Sequence, residues 1–167
     1  VVNQVRGACK RDDVFAATPP LAAMRFILSR AASRGNGRCL GLWDVSVAFF
    51  HATIEAEVFV RPPKNMRKDK TIWKLLKAMY GTQVASSRWQ RLVRETLSDG
   101  NWRVLTCVPC VAYNETEDSL VLFHGDDFLA EGHDSSLDKL DVVLSTFEIK
   151  RLPRIGPTAG REGVFLH

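Results

Sequence analysis

No apolar run in these 167 residues approaches the roughly 18 needed to cross a bilayer as a helix. The first ten residues, VVNQVRGACK, lack the charged-then-apolar order of a secretory signal. Both absences lead us to expect an intracellular, cytoplasmic setting with no membrane partner. Cysteine is scarce: of Cys9, Cys39, Cys107 and Cys110, only the last two form a CxxC. A zinc ribbon needs a second such pair or a following histidine pair, and neither stands at suitable spacing. Buried, reduced thiols are the expectation. There is no internal repeat and no low-complexity tract. Acid is almost missing between Arg61 and Lys77, where Arg61, Lys64, Arg67, Lys68, Lys70, Lys74 and Lys77 face Asp69 alone.

What is present describes one globular domain with a real core: 46% of residues are apolar and 25% charged. The net charge of +4 is unevenly spread. Residues 1–114 hold 18 Lys/Arg against 8 Asp/Glu, whereas residues 115–149 hold 10 Asp/Glu against Lys139. A basic half suggests a polyanionic partner. The acidic segment fits such a partner best if some of its carboxylates hold metal cations. The Arg61–Lys77 run reads either as a solvated loop and helix face or as a contact to a phosphate backbone.

Thr18 and Pro19 read as an N-cap and first helical position. Leu21, Met24, Ile27, Leu28 and Ala31 follow at helical spacing, and Gly35 ends the pattern. Cys39–Val45 is a short apolar run, expected to be a buried strand. Ile54, Ala56, Val58 and Val60 alternate with Glu55, Glu57, Phe59 and Arg61 as in a half-exposed strand, which Pro62-Pro63 stops. A helix is expected from about Ser87 to Leu97, with Arg88, Arg91 and Arg94 giving it a basic face. Leu120–Phe123 and Phe128–Ala130 flank His124-Gly125-Asp126-Asp127, a hairpin with carboxylates at its tip. A last helix, about Ser135 to Phe147, turns Leu137, Leu140, Leu144 and Phe147 to the core. The order predicts an α+β sandwich with helices on one face of an antiparallel sheet.

Asp44 ends a buried strand, where an acid is costly unless paired or bound to a cation. Asp126 and Asp127 repel each other at a tight turn, and a divalent cation would neutralise them. Asp is also common at turns for its own hydrogen bonding, and periodicity does not place Asp44 beside the pair.

Asp44 to Pro63 reads DVSVAFFHATIEAEVFVRPP, which resembles the DVKxAFLHGxLxExVYMxQPP block of copia-type retrotransposon reverse transcriptases. Trp73 to Gly81 (WKLLKAMYG) resembles that family's WKLKKALYG, and Pro109 to Tyr113 its DPCVY. Leu120 to Gly132 (LVLFHGDDFLAEG) resembles LLLYVDDxLIAG, Phe147 to Pro153 resembles FEMKDLG, and Phe15 to Pro19 resembles TFSPV. The blocks keep the family's order and spacing over nearly the whole chain.

The resemblance implies a right-hand polymerase palm, a ferredoxin-like antiparallel sheet with helices on one face, together with part of the fingers. It implies an RNA-directed DNA polymerase that adds dNTPs to a primer 3′-hydroxyl on an RNA or DNA template. Asp44, Asp126 and Asp127 would be the catalytic carboxylates. With the carbonyl of Val45, they would hold two Mg²⁺, for which Mn²⁺ is a substitute. Phe49 falls where such enzymes carry an aromatic gate against the ribose 2′-hydroxyl; ordinary core packing is the other reading. Gln83 and Lys150 would contact the nucleotide, Lys150 as proton donor to pyrophosphate. The basic run would grip the template–primer. The rest of a polyprotein (thumb, ribonuclease H, integrase) would be the partner, in a virus-like particle.

The chain departs from the pattern at four places. His124 and Gly125 stand where the family has tyrosine and valine, which gives the GDD of RNA-dependent RNA polymerases; Phe49 argues against that class. Val84 stands at a family glutamine, with Gln83 one place before it. The family's KAR block is missing, with Arg6 a poor replacement, and no thumb follows Phe165-Leu166-His167, so the domain reads as truncated at both ends. The alternative is a folded, inactive remnant that at most binds nucleic acid.

Overall fold

The computed structural model describes residues 18–35, 37–55, 57–68, 71–82, 84–157 and 162–165. Arg6, Cys9, the Phe15–Ala17 part of the proline block, Ala56, Lys70 and Gln83 lie outside the described residues. In chain order the elements are α1 (Leu21–Ser33), β1 (Arg38–Val45), β2 (Phe59–Val60), β3 (Trp73–Lys74), α2 (Ala85–Asp99), β4 (Arg103–Val104), β5 (Val111–Asn114), β6 (Ser119–His124), β7 (Asp127–His133), α3 (Asp134–Leu144) and β8 (Ile149–Arg151). The chain forms two compact units, one centred on Ala48–Leu92 and one made of Ala17–Val47 with Val93–His167. Among the described residues no helix is long and apolar enough to cross a membrane.

The larger unit is built on one six-stranded sheet, ordered β4-β5-β6-β7-β1-β8, with every pair antiparallel. Strand β1 pairs with β7 from Arg38↔His133 to Asp44↔Asp127. Alternation along the strands puts Leu40, Leu42 and Asp44 on one face with Glu131, Leu129 and Asp127. Cys39, Gly41 and Trp43 lie on the other with Gly132, Ala130 and Phe128. Helix α3 covers the second face: Trp43 donates its Nε1–H to Asp141 at 2.5 Å, and Cys39 Sγ lies 3.1 Å from Asp134. Helix α1 covers the first, where Arg30 reaches Glu131 at 2.5 Å. Helices therefore lie on both faces of the sheet, not on one as the element order suggested. The sequence carries the reason: Leu120–Phe123 is buried without alternation, as in a strand covered on both sides. Gly41 is required by close approach, since a Cβ there would come within 2.2 Å of the Trp43 ring.

Other expectations shift at their edges. Helix α1 starts at Leu21, with Pro20 at the N-cap in extended conformation (ψ 141) and no side-chain cap, in place of Thr18 and Pro19. Pro20 disfavours helical geometry at the residue before it, so the first turn cannot include Pro19. Of the expected apolar face only Ile27 is fully buried; Leu21 and Leu28 are exposed. Helix α3 ends at Leu144, yet Leu137, Leu140, Leu144 and Phe147 are all buried as expected. Helix α2 extends two residues beyond the expected span at each end. Its basic face is partly engaged: Arg88 pairs with Glu55 at 3.0 Å and Arg94 donates to the Pro109 carbonyl at 3.3 Å.

In the smaller unit, the strand expected over Ile54–Val60 is regular only at Phe59–Val60, paired with Trp73–Lys74. Ile54 N–H bonds to Leu76 O, while Leu75 N–H bonds to Val58 O. The core of this unit includes Ala52, Val58, Ala78, Val84 and Trp89.

Much of the acidic segment is used inside the fold. Of its ten carboxylates, six enter internal ion pairs: Glu117, Asp118, Glu131, Asp134, Asp138 and Asp141. Arg154 alone ties Asp134, Asp138 and Asp141 of α3 to the segment after β8. The other cluster joins α1, β1, β7 and the β5–β6 turn. Asp118 accepts from Arg30, from Arg34 at 2.6 Å, from Arg38 at 3.1 Å and from the Tyr113 hydroxyl at 3.0 Å. Burial opposes its ionisation, but the hydrogen bonds from Arg30 and Tyr113 and the charges of Arg30 and Arg34 outweigh it and hold the carboxyl at about 2. The folded value lies below the unfolded one of about 3.9. The stability Asp118 contributes is therefore full above about pH 4 and is lost as pH falls through 2. Urea midpoints measured from pH 5 down to pH 2 should fall, and the fall should be shallower in Asp118→Asn.

Cys39 is buried, and burial first, then the Asp134 hydrogen bond, pushes its thiol up to about 12. Cys110 is buried too, but Cys107 is exposed, against the expectation for that pair.

Candidate active site

Asp44 is the penultimate residue of β1, and Asp127, the first of β7, is its direct partner across the sheet. The same row continues to His124 on β6 and to Lys150 on β8. His124, Asp127, Asp44 and Lys150 thus stand side by side on one face, with cross-strand Cβ separations of about 5 Å. Asp126 occupies the two-residue loop, Gly125-Asp126, that joins β6 to β7. Gly125 has φ 58, the positive value that a tight hairpin asks of its first loop residue and that glycine adopts without strain. Val45 N–H donates to the Asp126 carbonyl at 2.8 Å, and Ser46 N–H to the Glu148 carbonyl at 2.8 Å. These bonds pin the hairpin tip and the start of β8 to the end of β1. Three residues past Asp44, Val47 has φ 48. A β-branched residue in that region is strained, and such strain concentrates at functional sites.

Asp44, Asp126, Asp127 and Lys150 line one cleft of about 280 Å³, completed by Leu152 and Val164. No motif or spacing singled out the last two residues. Among the described residues, Asp44, Asp126 and Lys150 enter no ion pair, unlike Glu117, Asp118, Glu131, Asp134, Asp138 and Asp141 of the same unit. Among the described residues, no three His, Cys, Asp or Glu side chains stand close enough to enclose a metal ion. The donor set is oxygen in an open cleft. That suits Mg²⁺, which is held by one or two carboxylates and keeps waters and substrate phosphates in its shell. The residues fit such an ion as an open site, not as a closed cage.

The family resemblance grouped Asp44, Val45, Asp126, Asp127 and Lys150 in one site, and the larger unit brings these five near one another. Phe49 and the basic run belong to the smaller unit. Phe49 sits in a 3-10 turn (Ala48–His51), half-buried, its ring 4.4 Å from that of Tyr80. Arg61, Lys64, Arg67, Lys68, Lys74 and Lys77 are all exposed. Lys74 pairs with Glu57 at 2.7 Å, Lys77 donates to the His51 carbonyl at 3.0 Å, and Arg67 to the Pro62 carbonyl at 3.4 Å. Among the described residues of the run, Arg61, Lys64 and Lys68 enter none of these bonds.

A carboxylate pair at a hairpin tip thus stands beside a third carboxylate on the neighbouring strand. Over residues 3–160 the chain matches the family described as reverse transcriptase (RNA-dependent DNA polymerase), and it belongs to that family. It is 29% identical over 149 residues, 84% of its length, to the Retrovirus-related Pol polyprotein from transposon TNT 1-94 of Nicotiana tabacum. These matches bear out the copia-type resemblance. The chain spans 11% of that polyprotein. No solved structure matches it significantly.

Proposed function

We propose that this chain is the palm-centred core, with part of the fingers, of an RNA-directed DNA polymerase that transfers dNTPs to a primer 3′-hydroxyl. The observation that carries the reading is the register Asp44↔Asp127 with Asp126 in the adjoining turn, three carboxylates on one cleft. Two Mg²⁺ held there by Asp44, Asp126, Asp127 and the Val45 carbonyl would activate the primer hydroxyl and neutralise the triphosphate. The residues themselves position the reaction. The Val45–Asp126 backbone bond keeps the strand end and the hairpin tip in register. Lys150, across from Asp44 on the same cleft and without an ion pair among the described residues, would give a proton to the leaving pyrophosphate. In the smaller unit, Phe49 would gate the sugar, and Arg61, Lys64 and Lys68 would contact template phosphates. The missing partner surfaces would come from the rest of a retrotransposon polyprotein.

The test is primer extension on an RNA template with dNTPs and Mg²⁺. We expect extension that EDTA stops and Mg²⁺ restores. A folded chain that neither extends nor binds a primer–template would leave an inherited fold without activity.

A further inference from the structure

Lys150 stands at the edge of the sheet. Strand β8 is outermost and three residues long, and it pairs with β1 on its inner side. A strand so short at an edge is the part of a sheet that opens most readily. The contacts that hold it come from the face opposite the cleft. Beside the row Asp44↔Lys150 lies the row Trp43↔Arg151, and alternation turns that row toward α3. One oxygen of Asp141 on α3 accepts both the Trp43 indole N–H at 2.5 Å and the Arg151 Nε–H at 2.8 Å. It therefore bridges the two strands one residue from Asp44 and Lys150. Trp43 is 3% exposed, so its bond is shielded from water. Arg154 then reaches Asp141 at 3.3 Å, Asp138 at 2.6 Å and Asp134 at 2.8 Å, three acids that share one face of the helix. Between the two arginines, Leu152 donates its N–H to the Leu42 carbonyl at 3.0 Å and lines the cleft.

We infer that Asp141 is a positioning residue of the candidate site: from behind the sheet it locks β8 to β1 and so fixes Lys150 opposite Asp44. The inference rests on the reading of Asp44 and Lys150 as parts of a nucleotidyl-transfer site. The position calls for a carboxylate because one group has to accept from two donors, one of them cationic. An amide keeps an acceptor for the indole but loses the charge that holds Arg151, and alanine keeps neither. Without Asp141, Arg154 still has Asp134 and Asp138, so the segment after β8 stays tied to α3. What is released is the row beside the site.

The experiment is amide hydrogen exchange, followed by NMR on the ¹⁵N-labelled full chain, with single-turnover primer extension on the same samples. It compares wild type, Asp141→Asn and Asp141→Ala. Exchange in β8 and at Leu152 should be about tenfold faster in Asp141→Ala, the lower end for loss of a hydrogen bond to a charged group. The rise should be smaller in Asp141→Asn, and exchange in β6 should not change. The Trp43 indole N–H signal should move upfield in Asp141→Ala as its bond is lost. Extension at saturating dNTP should slow in the same order, with the half-saturating dNTP concentration little changed, because Lys150 acts on the leaving group. Unchanged exchange in β8 overturns the lock. An equal rise in β6 and β8 overturns it too, since Asp141 then supports the whole sheet. A released β8 with an unchanged extension rate overturns the positioning role. A wild type that does not extend a primer overturns the polymerase reading instead, and the exchange pattern still decides whether Asp141 locks the strand. If Asp141→Ala does not fold, Arg151→Gln removes one donor from a half-exposed site and is read by the same exchange comparison.

Discussion

Replacing Glu131 by alanine is expected to destabilise the larger unit by about 3–5 kcal/mol, enough to unfold many domains of this size. Glu131 is fully buried, at 0% exposure, in a central strand. Arg38 holds it with two bonds to one oxygen, at 2.9 and 2.7 Å, and Arg30 stands 2.5 Å from the other. Taking away the carboxylate leaves two guanidinium groups facing each other, the Arg38 side chain being 3% exposed and that of Arg30 11%. The cost is that of uncompensated buried charge, not of one lost hydrogen bond. Asp118 still neutralises part of it, which pulls the expected loss toward the lower end. Urea denaturation of wild type and Glu131→Ala measures the difference. Glu131→Leu combined with Arg38→Met should recover part of it, because an apolar replacement of both partners removes the stranded charge. A Glu131→Ala loss below about 1 kcal/mol, the range of exposed pairs, would mean that water reaches the cluster and the burial is wrong.

That cluster also shows where sequence reading stops. The β6–β7 hairpin was legible because Leu120–Phe123 and Phe128–Ala130 are dense apolar runs around a glycine-containing turn. The core face of α3 was legible for a similar reason, since Leu137, Leu140 and Leu144 recur at helical spacing over a whole element. Glu131 carried no such signal. A lone acid inside an apolar strand is readable as buried only when its arginine partners are known, and these lie 93 residues away at Arg38 and far off at Arg30. The same long-range pairing misled the reading of α1. Its polar Arg30 reaches buried Glu131 while Leu21 and Leu28 stay exposed, so the hydrophobic pattern did not single out the main contact. Charge counting is coarse for a related reason. Only some carboxylates of the run over residues 115–149 were expected to hold cations; six of them pair inside the fold, while Asp126, like Glu115 and Glu148, enters no ion pair among the described residues. The proximity of Asp44 to Asp127 is a matter of register between strands more than eighty residues apart. No local pattern encodes it; the family resemblance supplied it, and the pairing of β1 with β7 agrees.

Asp126→Asn is expected to separate folding from catalysis. Extension of a primer should fall on the order of 10³-fold or more, since a ligand to a catalytic metal accounts for several kcal/mol of transition-state stabilisation. Stability should move the other way. Asp126 is exposed in a two-residue loop whose strained position is taken by Gly125, and asparagine is at home in such a turn. Removing one of three like charges around the cleft then relieves repulsion, a gain of about 0.5 kcal/mol without metal, the size of exposed charge effects. Mg²⁺ reverses the order. Bound to the folded wild type, it is expected to raise the melting temperature with concentration, while the variant, short of one ligand, should respond weakly. Thermal melts with and without Mg²⁺ therefore test the site independently of any polymerase assay. If wild type and variant gain equally from Mg²⁺, the carboxylates are turn residues and nothing more. If wild type alone gains and still does not extend a primer, the metal site is intact and the missing activity lies in surfaces that grip the template, which points to Arg61, Lys64 and Lys68 as the next substitutions.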